Sequence, residues 1–179
     1  MKKIILVCGL IGGTILCIFI VLSTAIISNQ NYESGMIYGY TAMILAFSLI
    51  YVGVRNFRDK YNDGIISFGK AFKIGLYITL IGSTMYVITW LIEYYFFIPD
   101  FMEKYAAHMI KNINLNGLSQ LQIDNQLKSI TGMKEMYKTP FFVILFTYLE
   151  VLPVGLAISL ISALLLKRKF RHKNLVMIT

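Results

Sequence analysis

Apolar residues fall in four long blocks along the chain, Ile4 to Ile27, Gly35 to Val54, Ala71 to Ile98 and Phe141 to Leu166, divided by polar connections. A helix needs roughly 20 apolar residues to cross a hydrocarbon core about 30 Å thick, and each block meets that length. The pattern predicts an all-α integral membrane four-helix bundle, a single domain over residues 1–179, with one long loop at 99–139. The chain begins MKKIILVCGL. Its first apolar run exceeds the roughly 7–15 residues of a signal-peptide core, so it reads as an uncleaved first helix. Cys17 follows Ile15-Leu16, which lacks the small residue that a lipoprotein site requires.

Within the blocks, small and polar residues recur in steps of three and four, the spacing that lets membrane helices approach closely. The second block gives Gly35, Gly39, Ala42, Ala46, Leu49 and Gly53. The third gives Gly75, Thr79, Gly82, Tyr86, Thr89 and Glu93. The fourth gives Tyr148, Leu152, Gly155, Ser159, Ser162 and Leu166. The first has a weaker seam of Gly9, Gly13 and Ser23. LAFSLI (45–50) recurs as LAISLI (156–161), which leaves a parallel internal repeat open. In the 99–139 loop, PDFMEKYAAHMIKNI places Phe101, Tyr105, Met109 and Asn112 at helical spacing. LSQLQIDNQLKSITGMKEMY offers Leu118, Leu121 and Leu127 as apolar contacts, with Asn116-Gly117 as a break between the two stretches. Two short helices packed over the outer mouth of the bundle are expected.

Composition agrees with this pattern: 57% of residues are hydrophobic, above the roughly 45–50% of soluble domains. The net charge of +8 reads as a topology signal, because the cations flank apolar blocks. Twelve of them lie at Lys2 and Lys3, in the 55–73 connection and in the tail, against five in the 99–139 loop. That bias predicts both termini cytoplasmic and the long loop outside, and it argues against nucleic-acid binding. Trp90, Tyr94, Tyr95, Phe96 and Phe97 crowd the outer end of the third block as an interfacial belt. Cys8 and Cys17 are too far apart on one helix to pair, His108 and His172 are isolated, and no metal or cofactor motif is present. HExxH, GxSxG and a Walker loop are also missing, so a non-enzymatic protein is expected.

Two acids, Glu150 and Glu93, lie inside the blocks, where a charge is disfavoured by about 2.5–3.5 kcal/mol on insertion scales. Glu93, about 5 residues from the outer end, is placed to reach the interface, whereas Glu150, about 10 residues deep, is not. Pro153 follows Glu150 by three residues and frees the carbonyl of Leu149, an arrangement suited to a proton or cation site. The plainer reading pairs Glu150 with Tyr40, Thr41, Tyr86 or Thr89 on a neighbouring helix. On an ideal helix, at about 100° per residue, Glu150 lies roughly 140° from Gly155 and off the small-residue seam. Arg55, Arg58, Lys60, Lys70 and Lys73 form a second candidate, a lipid or partner contact at the cytoplasmic surface.

Several landmarks carry a family likeness: Arg55-Asn-Phe-Arg58-Asp59, SFGKAFKIG (67–75), Trp90, PDFMEKYA (99–106), KEMYKTP (134–140) and Glu150-Val-Leu-Pro153-Val-Gly155-Leu156. In that order the chain resembles the small bacterial membrane proteins of the domain-of-unknown-function 4199 family, found mostly in Bacteroidota. The resemblance implies a four-helix inner-membrane protein and a bacterial source, and it supplies no activity. From the residues, the leading expectation is a packing or partner-binding role in the lipid bilayer, with a membrane-protein partner or a second copy. The alternative is a transporter or channel component for protons, cations or a small solute, using Glu150 and Glu93.

Overall fold

The computed structural model describes residues 1–27, 32–113 and 119–167. These residues form six α-helices: α1 (Lys2–Ile27), α2 (Tyr32–Tyr61), α3 (Phe68–Ile92), α4 (Phe101–Lys111), α5 (Gln120–Met136) and α6 (Pro140–Leu166). Four stretches are long and apolar enough to cross a membrane: Lys2–Thr24, Gly35–Tyr61, Phe68–Phe97 and Pro140–Leu166. Helices α1 and α6 each pack against α2 and α3. The outward faces are as apolar as the inward ones: Leu6, Ile18, Leu45, Ile88 and Leu165 are all more than half exposed. A helix that is apolar all round suits hydrocarbon rather than water.

The core lies in the half that holds the N-terminus, the α2–α3 connection and the end of α6, called here the basic end. Ile50, Val54, Ile74 and Ile78 are at most 2% exposed there, and Leu16, Phe47 and Val151, equally buried, extend the core toward the other half. On α3 and α6 the packing is reciprocal. A Cβ on Gly75 would lie 2.8 Å from Ser159 Cβ, and one on Gly155 would lie 3.1 Å from Thr79 Cβ. Each glycine therefore admits the hydroxyl residue that sits one turn from the other glycine. Thr79 and Ser159 meet at 3.2 Å between them, and Ser159 also donates to the Gly155 carbonyl at 2.8 Å.

The expectation of a weak first seam is corrected. A Cβ on Gly9 would come within 2.9 Å of Ile81 Cβ, one on Gly13 would collide with Met85, and one on Gly12 would press the Ala46 carbonyl at 3.2 Å. The second seam divides instead. Ala42, Ala46 and Gly53 are buried, but a Cβ on Gly39 would meet nothing within 4 Å. The copies of the LAFSLI/LAISLI match bury different positions, Ala46, Phe47 and Ile50 against Ser159 alone, so they do not mark equivalent helix faces.

Helix α2 runs past Val54 to Tyr61 and places Arg55, Arg58 and Lys60 on helix rather than loop. It stops where Asp63 and Gly64 take positive φ (49° and 73°) and the Gly64 N–H reaches back to the Arg58 carbonyl at 2.9 Å. Ser67 then caps α3 by accepting from the Lys70 N–H at 3.4 Å. At the opposite, cap end, α3 finishes in a π-turn, Glu93–Phe97, closed by the Ile98 N–H on the Glu93 carbonyl at 2.9 Å.

The two short loop helices are present. Met102 and Ala106 are buried on α4, Ile130 is buried on α5, and Lys134 of α5 bridges to Glu103 of α4 at 3.1 Å. Helix α5 opens with a reciprocal cap between Ser119 and Gln122, the S-x-x-Q pattern of a capping box. Leu121 is 69% exposed and is not the expected contact; Ile130 and Met133 take that place. Leu118 and the Asn116-Gly117 break lie outside the described residues.

Candidate functional site

Toward the cap end the bundle opens into a cavity of about 340 Å³. Its cause is local. Gly35 and Gly39 put no side chain into the space on the α2 side, while Leu16, Phe19 and Ile20 close it from α1. Tyr40 of α2 and Tyr86 and Trp90 of α3 form its sides. Phe101 and Tyr105 of α4, with Met133 and Tyr137 beyond, roof it. Ring contacts fix this roof: Trp90 meets Phe101 edge-to-face at 5.1 Å, Phe101 stacks on Tyr105 at 5.8 Å, and Tyr94 lies 6.0 Å from Tyr137. The Tyr94 hydroxyl also donates to the Tyr137 carbonyl at 3.3 Å. These contacts correct the belt reading. Phe96 and Phe97 point outward (78% and 75% exposed), but Tyr94 is buried and Trp90 belongs to the cavity.

Glu150 stands in the wall of this cavity with Thr147 one turn before it on α6. It is exposed, not buried, and no hydrogen bond from a described residue holds its carboxylate. Among the described lining residues it is the one ionisable acid, and no lysine, arginine or histidine accompanies it. Its field reaches the roof. The Tyr137 phenol is pushed up to about 12, first by burial and then by the charge on Glu150.

Of the residues named as partners for Glu150, Tyr40 and Tyr86 share its cavity, while the other two are committed elsewhere. Thr41 donates to the Ile37 carbonyl at 2.8 Å, and Thr89 lies within hydrogen-bond reach of the Met85 carbonyl (3.0 Å) and Cys17 Sγ (3.1 Å). Pro153 sits exposed within a continuous α6, where it leaves the Leu149 carbonyl without its usual amide donor.

Glu93 does not reach the interface, contrary to the sequence reading. It is 6% exposed between helices, with Oε1 3.2 Å from Thr24 Oγ1 and Oε2 without a partner among the described residues. Thr24 lines the cavity, so Glu93 stands one hydroxyl behind its wall. The Thr24 hydroxyl has one proton for three oxygens, Ile20 O at 3.2 Å, Val21 O at 2.9 Å and Glu93 Oε1. A proton on Glu93 Oε1 would let the carboxyl donate to Thr24 and leave the Thr24 proton for the backbone carbonyls, with Oε2 still unpaired among the described residues.

The basic residues form a separate group at the other end of the bundle. Arg58 clasps Asp59 with Nε at 2.6 Å and a second nitrogen at 3.2 Å, and Arg55 approaches the same carboxylate at 3.6 Å. Lys70 bonds Asn62 Oδ1 at 3.0 Å and lies 5.0 Å over the Phe57 ring; Lys73 lies 6.0 Å over Tyr77. Lys60 is exposed on the same helical turn as these pairs. Four of the five cations are thus engaged within the chain.

The sequence reading missed Tyr105, Met133 and Tyr137 as site residues. The signal available was the clustering of aromatic residues and methionines in a loop that also had to cover the bundle. No curated protein and no solved structure matches the chain. A family model described as "Protein of unknown function (DUF4199)" does match it, over residues 8–168. With nearly its whole length covered by that match, the chain belongs to the DUF4199 family.

Proposed function

We propose that this is a non-enzymatic binding protein of the bacterial inner membrane, with both termini cytoplasmic, that holds a small ligand in the cavity at its outer end. The cavity carries this reading. About 340 Å³ is within the range of small-molecule sites, and the wall has the usual make-up of such sites, mostly apolar and aromatic with one charged group. The lysine and arginine bias supports the orientation, which turns the cap outward. Transport past Glu150 and Glu93 is the weaker reading. A path inward would have to part Phe47, Ile50, Ile78 and Val151, which are packed with at most 2% exposure. Binding and release on the same side require no such opening.

The test uses Gly39. Its missing side chain borders the cavity and has no neighbour within 4 Å, so Gly39→Phe fills the space without a backbone clash. Wild-type protein in lipid nanodiscs is expected to carry a small-molecule adduct in native mass spectrometry, which Gly39→Phe loses while its unfolding midpoint stays the same. No adduct on the wild type, or one that Gly39→Phe retains, would refute the proposal.

A further inference from the structure

We infer that the cavity takes a compact organic cation, an ammonium bearing apolar substituents, with its positive centre at Glu150 and its body against Tyr40, Tyr86 and Trp90. This rests on the binding role proposed above and names the ligand class. Three observations select it.

The first is charge. The described wall has one carboxylate and no basic side chain, so an anion would meet repulsion with nothing to offset it. Glu150 also lacks a hydrogen-bond donor among the described residues, and a carboxylate in apolar surroundings is costly until a counter-charge arrives.

The second is the nature of the remaining surface. Aromatic faces attract cations electrostatically, and Trp and Tyr are the rings best suited to it. Tyr40, Tyr86, Trp90, Tyr105 and Tyr137 supply that surface from three different helices and the segment after α5. A metal ion is a poor fit, because Ca²⁺ or Mg²⁺ needs about six oxygen ligands and the wall offers one carboxylate, scattered phenols and hydroxyls. An ammonium with alkyl or aryl groups satisfies the charge and the rings together.

The third is shape. About 340 Å³ accommodates a compact cation or a single headgroup, not a whole phospholipid. Met36, Met102 and Met133 in the lining are flexible and polarizable, and they let the cavity adapt to substituents of different outline.

The chain has one tryptophan, and it lines the cavity, so Trp90 emission reports on occupancy without labels. The full chain is placed in nanodiscs of phosphatidylglycerol, a lipid with no ammonium group. It is titrated with benzyltrimethylammonium and, separately, with its neutral carbon isostere neopentylbenzene. A saturable response is expected, with the cation bound roughly tenfold or more tighter than the isostere. Glu150→Gln should remove this preference; comparison within one disc composition cancels partitioning of either probe into lipid. Tyr86→Leu should weaken the cation while Tyr86→Phe retains it, a pair that decides the matter even if Glu150→Gln fails to fold. Adding phosphatidylethanolamine tells the source of the ammonium: competition assigns it to a lipid headgroup, and no competition to a free solute. Equal binding of cation and isostere would overturn the ammonium assignment and leave a binding cavity standing. If neither probe shifts Trp90, and Gly39→Phe carries the same adduct as wild type, the binding role itself falls.

Discussion

Replacing Gly75 by alanine measures how tightly the basic half of the bundle is closed. The new Cβ would lie 2.8 Å from Ser159 Cβ and 3.0 Å from Ile50 Cγ2, where ordinary contact begins at 3.4 Å. Ser159 Oγ, at 2.7 Å, could rotate away, but Ser159 Cβ is fixed by its backbone and can retreat only if α3 and α6 separate. Overpacking of this kind costs about 1–3 kcal/mol. Helix propensity works in the opposite direction, since alanine is favoured over glycine by up to about 1 kcal/mol. Gly39→Ala receives only the second effect, because its Cβ meets nothing within 4 Å. The two variants should therefore separate by about 2 kcal/mol, Gly75→Ala below wild type and Gly39→Ala at or above it. Reversible unfolding in mixed detergent and sodium dodecyl sulfate micelles, followed by Trp90 emission, reads both midpoints. Adding Ser159→Gly to Gly75→Ala removes the opposing Cβ, and the double-mutant cycle should show a favourable coupling of about 1 kcal/mol. A Gly75→Ala protein as stable as Gly39→Ala would refute the close-packed seam.

Glu93 gives a second test. If it holds its place as a neutral hydrogen-bonding group, Glu93→Gln should cost less than about 1 kcal/mol and Glu93→Ala about 1–3 kcal/mol by the same unfolding assay; equal losses in the two would show that the charge matters instead. Tyr137 gives a test by pH. Its phenol is pushed up to about 12 in the fold against an ordinary value near 10, so the neutral form is the one the fold prefers. The stability it contributes is complete below about pH 10 and is lost as pH rises from there toward 12. Ultraviolet difference titration of wild type against Tyr137→Phe should place its midpoint near pH 12, and Glu150→Gln should bring that midpoint down. No movement with Glu150→Gln would mean the carboxylate does not act on the roof.

The four long helices were legible because run length and hydropathy are one-dimensional properties. The seam on α3 was legible too: Gly75, Thr79, Gly82 and Glu93 are all buried, as their spacing demanded. The same rhythm on α2 pointed the right way but misjudged the distance, since spacing tells which side faces the bundle and not how near the neighbour lies. Glu150 illustrates the same limit. Its angle from Gly155 set it off the seam, yet the widening at the cap end brings that part of α6 onto the cavity wall. Trp90 and Tyr94 could not be sorted from Phe96 and Phe97 by composition, and the π-turn is a shift of hydrogen-bond register with no residue signature. The Ser119–Gln122 cap is readable in the sequence as S-x-x-Q. The cavity itself is a joint property of six helices and is written in none of them singly.

The division of α2 into a packed half and an open half also governs how the protein can change over generations. Ala46 is 1% exposed against its neighbours, and Gly53 would crowd Ile78 and Cys8, so substitution there is selected for folding. Two turns away, Gly39 borders only the cavity, and a mutation there resizes the site while sparing the scaffold. On the binding role proposed above, the stretch around residues 35–40 is where this chain's ligand preference can change with least effect on its stability. Changing side-chain size along that stretch would then retune the proposed site on a fold that stays the same.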